Sequence, residues 1–124
     1  MSFKFRTGEA TLRMPPVVLP TSRMIELMEL AAVRLMRTHL ADGESSVSTE
    51  MKVTHVAPAS VGGALRAVAA YKGITGRVHR FTINVFDESG LIGSAEHARA
   101  VVIERRLLAM SRRRADQASA LLTA

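Results

Sequence analysis

The sequence predicts an α+β domain in which one long, mostly apolar helix is wrapped by a five-stranded antiparallel β-sheet. Residues 21–40 are rich in good helix formers and contain no Gly or Pro. From about residue 45 to residue 104 the chain alternates strand-like segments with short turns, and short turns imply antiparallel neighbours. A helix that is apolar on most sides has to be covered, and a curled sheet is the simplest cover.

The chain before the helix divides into two parts. Residues 2–13 alternate between Phe3 and Phe5 on one side and charged residues on the other, which is typical of a first strand. The alternation and the charges also differ from a signal peptide. Residues 14–20 include three prolines and therefore cannot form regular structure. This segment delivers the chain to the helix.

The predicted helix, residues 22–40, would be about 28 Å long at about 1.5 Å per residue. At about 100° per residue, its charged side chains fall on one narrow arc, with a single exception. The arc comprises Arg23, Glu26, Arg34 and Arg37. Glu29 lies outside it, among apolar residues. We therefore expect the Glu29 carboxylate to face something other than bulk water.

Four further strands are predicted near residues 45–57, 63–73, 76–87 and 91–104. Because side chains alternate along a strand, parity predicts which residues face the helix. In the second strand these are Val47, Met51, Val53 and His55, and in the fifth strand they are Ala95, His97, Arg99, Val101 and Ile103. The edges of such a sheet invite pairing across a two-fold axis, so we expect a homodimer. From about residue 105 the chain reads as a weakly helical, basic tail that frays at its end.

Length and composition narrow the functional classes. With 124 residues and 48% hydrophobic residues, the chain is expected to form one globular domain. The absence of cysteine excludes disulfides, thiolate zinc sites and thiol catalysis, and it fits a reducing cytoplasm. The five charges on the predicted helix exclude a membrane span. The four histidines show no metal-ligand spacing, so no metal is predicted.

The net charge of +6 is concentrated towards the C-terminal end. Five of the seventeen basic residues lie together, namely Arg105, Arg106, Arg112, Arg113 and Arg114. A basic run of this kind is usually a solvated face, and no aromatic residues accompany it as they do in many nucleic-acid sites. A phosphate-bearing small ligand is the other partner that such a charge would suit.

Three polar residues converge in the predicted layout. Thr21 stands at the start of the helix, Glu29 lies about two turns further along, and His55 lies on the inner face of the covering strand. A hydroxyl near a helix N-terminus, a carboxylate and an imidazole are the groups needed to hydrolyse an activated acyl group. Each also has a structural alternative: a helix cap for Thr21, an ion pair for Glu29, and a satisfied core histidine for His55.

The sequence resembles the hotdog-fold acyl-CoA thioesterases, within them the branch that includes fluoroacetyl-CoA thioesterase. The resemblance covers about two-thirds of the chain, and three segments carry it: LMELAAVRLM in the helix, VTHVAPASVGG after the second strand and LIGSAEHARAVVIE in the last strand. It implies that Thr21, Glu29 and His55 are catalytic. It also implies that Arg99 lies near the CoA phosphates, and that Ser48 replaces a glycine placed near the acyl group. The short segment before the helix implies that the lid of the fluoroacetate enzyme is missing.

These observations predict a cytoplasmic homodimer that hydrolyses a small acyl-CoA to the free acid and CoA. Thr21 would orient the carbonyl, Glu29 would act as nucleophile or water-activating base, and His55 would shuttle a proton. The CoA thioester is the substrate, and no cofactor, membrane or nucleic acid is required. Two alternatives stay open: a hotdog module that binds acyl-CoA without hydrolysing it, and a nucleic-acid-associated protein that uses its basic tail.

Overall fold

The computed structural model describes residues 7–13, 21–59 and 63–123. Its elements, in chain order, are β1 (Thr7–Arg13), α1 (Thr21–Met36), β2 (Glu44–His55), β3 (Ala64–Thr75), β4 (Val78–Asp87), β5 (Gly90–Ile103) and α2 (Glu104–Thr123). The strands form one antiparallel sheet in the order β1-β3-β4-β5-β2. This confirms the predicted α+β architecture. Residues 2–6 of the predicted first strand and the proline-containing segment 14–20 lie outside the described residues.

Helix α1 lies across the inner face of the sheet and supplies much of the core. Its fully covered side chains are Met24, Leu27, Met28, Ala31, Ala32, Leu35 and Met36. The predicted charged arc is exposed to solvent, as expected. The α-helix is shorter than predicted, because after Met36 it tightens into a single 3₁₀ turn, Arg37–His39. The Thr38 hydroxyl donates to the Leu35 carbonyl over 3.0 Å at this point.

Small residues on β1 and β3 let α1 approach the sheet closely. Ala67 and Ala69 are completely buried, and Gly8 pairs with Ala69 in the register of the two strands. A Cβ atom on Gly8 would lie 2.8 Å from the Ala31 carbonyl oxygen of α1. Real Cβ atoms do not approach backbone that closely, so the position of the helix depends on glycine here.

Strand β2 contains a β-bulge that changes which residues face the helix. The register with β5 shifts between Ser48 and Glu50, with Ser48 opposite Arg99 and Met51 opposite His97. Residues opposite one another share a sheet face. Counting alternate residues back from Met51 predicted that Val47 faces the helix. This prediction is wrong, because the extra residue of the bulge reverses the side-chain alternation on its N-terminal side. Ser46 and Ser48 take the inner face instead.

Helix α2 follows β5 without a loop and is a continuous helix of 20 residues. The sequence analysis predicted only a weak, frayed helix in this region. Good helix formers and the absence of Gly and Pro explain the longer element. All of its described side chains are exposed. Among the helices that the structure describes, none combines the length and apolar character needed to cross a membrane.

Candidate active site

Thr21 and His55 meet at the start of α1. Thr21 is the first residue of the helix and His55 is the last residue of β2. The Thr21 Oγ1 and His55 Nδ1 atoms lie 3.2 Å apart, at hydrogen-bonding distance, and both side chains are exposed. The hydroxyl donates or accepts according to the tautomer of the imidazole. The structure thus brings together two of the three residues predicted to be catalytic.

A glycine on β5 allows Thr21 and His55 to lie this close together. Gly93 is the residue opposite His55 in the sheet. A Cβ atom on Gly93 would lie 2.5 Å from the sulfur of Met24, in the first turn of α1. Because Gly93 has no side chain, Met24 packs against the strand, and the first turn of α1 lies over the end of β2. The hydroxyl of Thr21 consequently reaches the imidazole.

Glu29 lies about two turns along α1 from Thr21. Its side chain is half-buried, and its negative charge raises the pKa values of His97 and Arg99. No described residue donates a hydrogen bond to the Glu29 carboxylate. The expectation that Glu29 faces something other than bulk water agrees with its half-buried side chain, and the charged groups of β5 that it influences electrostatically are His97 and Arg99.

Arg99 is buried, with 5% of its surface exposed. The guanidinium donates through Nε to the Ser46 hydroxyl over 2.9 Å and through Nη2 to the Ser46 carbonyl over 3.0 Å. Burial lowers the pKa of Arg99, and the charge of Glu29 raises it. The prediction that Arg99 faces inward agrees with this burial, and the bulge in β2 turns Ser46 inward to receive the guanidinium. A phosphate contact by Arg99 stays a prediction.

His97 lies between Arg99 and the backbone of β2. Its Nδ1 is 2.9 Å from the Glu50 carbonyl oxygen, and its Nε2 is 3.2 Å from Arg99 Nη1. Burial is the main cause of the lowered pKa of His97. The hydrogen bond to Glu50 and the charge of Glu29 act in the opposite direction, whereas Arg99 lowers the pKa further.

Ser48 lies on the inner face next to the bulge and is exposed. It stands opposite Arg99 in the sheet, two residues from Ser46 on the same strand. This position gives the Ser48 hydroxyl access to solvent at the edge of the polar cluster that Ser46, His97 and Arg99 form. A contact with the acyl group of a substrate stays a prediction.

A second polar group, which the sequence analysis missed, lies further along the inner face. The Tyr71 hydroxyl is 3.1 Å from His79 Nδ1, and the ring of His39 stacks on Tyr71 with a centroid distance of 5.9 Å. Burial lowers the pKa of both His79 and His39, and the charge of His79 lowers that of His39 further. Within residues 7–13, 21–59 and 63–123, no group of His, Asp or Glu is arranged to hold a metal ion.

Sequence reasoning also missed the roles of His97 and Ser46. The alternation of β5 correctly placed His97 and Arg99 on the face that covers an apolar helix. Two basic side chains in such a place require acceptors, because buried polar groups are almost always hydrogen-bonded. That requirement was the available signal, although it could not have identified Ser46 as the acceptor.

Comparisons with known proteins agree with this architecture. The sequence model of the fluoroacetyl-CoA-specific thioesterase family, FlK, matches residues 5–105. Fluoroacetyl-CoA thioesterase from Streptantibioticus cattleyicolor is 37% identical over 87 residues, which is 70% of this chain and 63% of that protein. The matched segment therefore spans less than two-thirds of the relative's length.

Solved structures extend the likeness to three dimensions. A structure of the fluoroacetyl-CoA thioesterase FlK superposes with a TM-score of 0.81 and 28% identity, covering 86% of this chain and 93% of that one. A Thermus thermophilus thioesterase superfamily member gives a TM-score of 0.87 at 23% identity, covering 92% and 93% of the two chains, and this likeness concerns the fold alone. Because the family model spans most of the sequence, this chain belongs to the fluoroacetyl-CoA-specific thioesterase family.

Proposed function

We propose that this protein hydrolyses a small acyl-CoA thioester to the free carboxylic acid and CoA. The observation that carries the proposal is the Thr21–His55 contact of 3.2 Å at the start of a helix, in a chain of this family. The first backbone N–H groups of a helix have no intrahelical acceptor. They can therefore stabilise the oxygen of a thioester carbonyl as negative charge develops on it.

The proposed reaction uses one water molecule for each thioester. Glu29 either removes a proton from this water, which then attacks the carbonyl carbon, or attacks that carbon itself and is released by water. The bond between carbon and sulfur breaks, and His55 delivers a proton to the departing thiolate. Thr21 orients the carbonyl. The products are a carboxylate, a proton and the free thiol of CoA, so the reaction balances without a cofactor or a metal.

The proposal includes a homodimer located in the cytoplasm. β1 and β2 are the edge strands of the described sheet, and exposed edges are commonly paired between subunits. The absence of cysteine is compatible with a reducing compartment. For the acyl group, we propose a short chain, since the exposed Ser48 hydroxyl stands beside the polar cluster and favours a small polar substituent over a long alkyl chain.

Glu29→Gln tests the proposal, because it keeps the shape of the side chain and removes its charge. With acetyl-, propionyl- and fluoroacetyl-CoA as substrates, we expect kcat for free thiol release to fall by about 10²-fold or more, the range of general-base loss. Arg99 keeps its bonds to Ser46 and His97, so we expect the melting temperature to change little.

Glu26→Gln is the matched control on the same helix. Glu26 forms an exposed ion pair of 2.9 Å with Arg23, and removing such a pair should leave turnover unchanged. Sedimentation of the parent and both variants verifies that each has the same mass, which the proposed dimer places at twice 13.4 kDa. Near-parental kcat in Glu29→Gln would remove Glu29 from catalysis. Binding of CoA thioesters without thiol release by the parent would favour the non-hydrolytic alternative.

A further inference from the structure

The orientation of the Arg99 guanidinium is fixed by three hydrogen bonds. Nε and Nη2 donate to the hydroxyl and the carbonyl of Ser46, and Nη1 is 3.2 Å from His97 Nε2. The guanidinium is planar, so bonds from three of its nitrogens determine its position and its plane. The proposed reaction assigns no role to Ser46 or to His97.

The contacts of His97 permit only one protonation state. A backbone carbonyl accepts hydrogen bonds and cannot donate them, so the contact of 2.9 Å with Glu50 requires a proton on Nδ1. A guanidinium donates and cannot accept, so the contact with Arg99 requires a lone pair on Nε2. The neutral imidazole with its proton on Nδ1 is the one form that satisfies both.

The surroundings favour this neutral form. His97 has 2% of its surface exposed, and burial disfavours the imidazolium. The charged groups that act on it electrostatically are Arg99 on the same strand and Glu29 on α1, while His79 of β4 stands opposite Arg99. From β2, the described contact is the uncharged Glu50 carbonyl. A second proton, on Nε2, would remove the acceptor for Arg99. It would also turn the ring into an imidazolium and place two cations side by side.

We infer that His97 and Ser46 are positioning residues that fix the Arg99 guanidinium within electrostatic range of the Glu29 carboxylate, with His97 in its neutral, Nδ1-protonated form. The inference rests on the proposed catalytic role of Glu29. Arg99 supplies a fixed positive charge that attracts the Glu29 carboxylate, and among the described residues no hydrogen bond joins the two groups. His97 acts on the reaction only through Arg99.

Two substitutions separate this role from simple packing. His97→Leu fills similar space and removes both nitrogens, whereas His97→Gln can present a non-titrating oxygen to Arg99 Nη1. We expect His97→Leu to lower kcat by about tenfold to a hundredfold, the effect of losing one hydrogen bond to a charged group, with little change in KM. His97→Gln should restore most of kcat. Equal kcat values in the two folded variants would overturn the inference.

A double-mutant cycle tests whether His97 acts through Glu29. In the Glu29→Gln background, His97→Leu should change kcat by less than about twofold, because the carboxylate that Arg99 attracts is already gone. A full, additive loss would show that His97 acts independently of Glu29, even if Glu29 itself proves catalytic. Tyr71→Phe is the control, since it removes a part-buried hydroxyl-to-histidine contact that has no place in this arrangement and should leave kcat unchanged.

NMR spectroscopy tests the tautomer without reference to catalysis. Ring nitrogen–proton correlations of ¹⁵N-labelled protein at pH 7 should show His97 as the neutral, Nδ1-protonated form. An imidazolium or an Nε2-protonated ring would overturn the inference. If the parent hydrolyses no thioester, the proposed function fails and the positioning role fails with it, while the spectrum still decides the hydrogen-bond arrangement.

Discussion

Two histidines on the inner face of the sheet have different chemistry because their ring nitrogens have different partners. His55 is exposed and, among the described residues, hydrogen-bonds only with the Thr21 hydroxyl, so its second ring nitrogen is open to a substrate. His97 is buried, and a carbonyl and a guanidinium occupy both of its nitrogens. The first arrangement suits a proton shuttle, and the second suits a fixed acceptor.

The Thr21 hydroxyl can be tested with a pair of substitutions. Thr21→Val keeps the shape and removes the hydroxyl, whereas Thr21→Ser keeps the hydroxyl. If Thr21 orients the carbonyl, Thr21→Val should lower kcat by about 10²–10³-fold, the loss typical of one oxyanion donor, and Thr21→Ser should keep most of the activity. Steady-state kinetics of both variants, with the thioester that the parent hydrolyses fastest, test this expectation.

Thr38→Val is the control for that pair. It removes a hydroxyl from the other end of the same helical segment, where the group donates to the Leu35 carbonyl. We expect its kcat to equal that of the parent. If Thr21→Val and Thr38→Val have the same kinetics, Thr21 is a helix cap and takes no part in the reaction.

At the scale of elements, the bulge in β2 determines what the polar cluster contains. The extra residue reverses the side-chain alternation on the N-terminal side of the bulge, so Ser46 rather than Val47 lies on the face of Arg99. The Thr49 hydroxyl, at the bulge itself, donates to the Ala98 carbonyl over 3.2 Å. Without the bulge, Val47 would face a buried guanidinium that lacked its acceptors.

The packing of α1 on the sheet can be tested at Gly8. Gly8→Ala places a Cβ atom 2.8 Å from the Ala31 carbonyl oxygen and 2.9 Å from Leu35 Cβ, so the helix or β1 has to move. We expect the free energy of unfolding to fall by about 1–3 kcal/mol, the usual cost of overpacking. Urea denaturation measures this change.

Gly63→Ala is the matched control for Gly8→Ala. A Cβ atom there has its nearest neighbour, Glu88 Cδ, at 3.7 Å, which is an ordinary contact. We expect the stability of this variant to equal or slightly exceed that of the parent, because alanine restricts the unfolded chain. Equal stability of both alanine variants and the parent would contradict the close approach of α1 to β1.

For the whole molecule, two buried histidines and one half-buried histidine link stability to pH. Burial lowers the folded-state pKa values of His39, His79 and His97 below the ordinary value of 6.5. The unfolded chain therefore binds more protons than the folded chain once the pH falls below about 6.5. We expect the free energy of unfolding to be largest above this pH and to decrease as the pH falls through 6.5 towards the folded-state values.

Urea denaturation between pH 7.5 and pH 5 measures this dependence. Each additional proton bound by the unfolded chain contributes a slope of about 1.4 kcal/mol per pH unit. His97→Gln removes one of the three groups and should make the decrease shallower. A stability that is constant or rises as the pH falls in the parent protein would contradict the burial of these imidazoles in the folded state.

The sequence by itself determined the architecture and part of the site. Helical periodicity and strand alternation are local properties, so they located α1, the strands and the exposed charged arc. The same local reasoning placed His55, His97 and Arg99 on the inner face of the sheet. It also selected Thr21 and His55, which meet because one begins a helix and the other ends the strand beneath it.

Only the tertiary structure decided the neighbours of Glu29 and the environment of Arg99. The first depends on how α1 lies on the sheet. The second depends on the register of β2 against β5, and one extra residue in β2 changes that register for every residue before it. Alternation along a single strand contains no information about a bulge in its pairing. Ser46 and the Glu50 carbonyl became acceptors for Arg99 and His97 because two distant segments pair in this register, and that pairing arises only when the sheet forms.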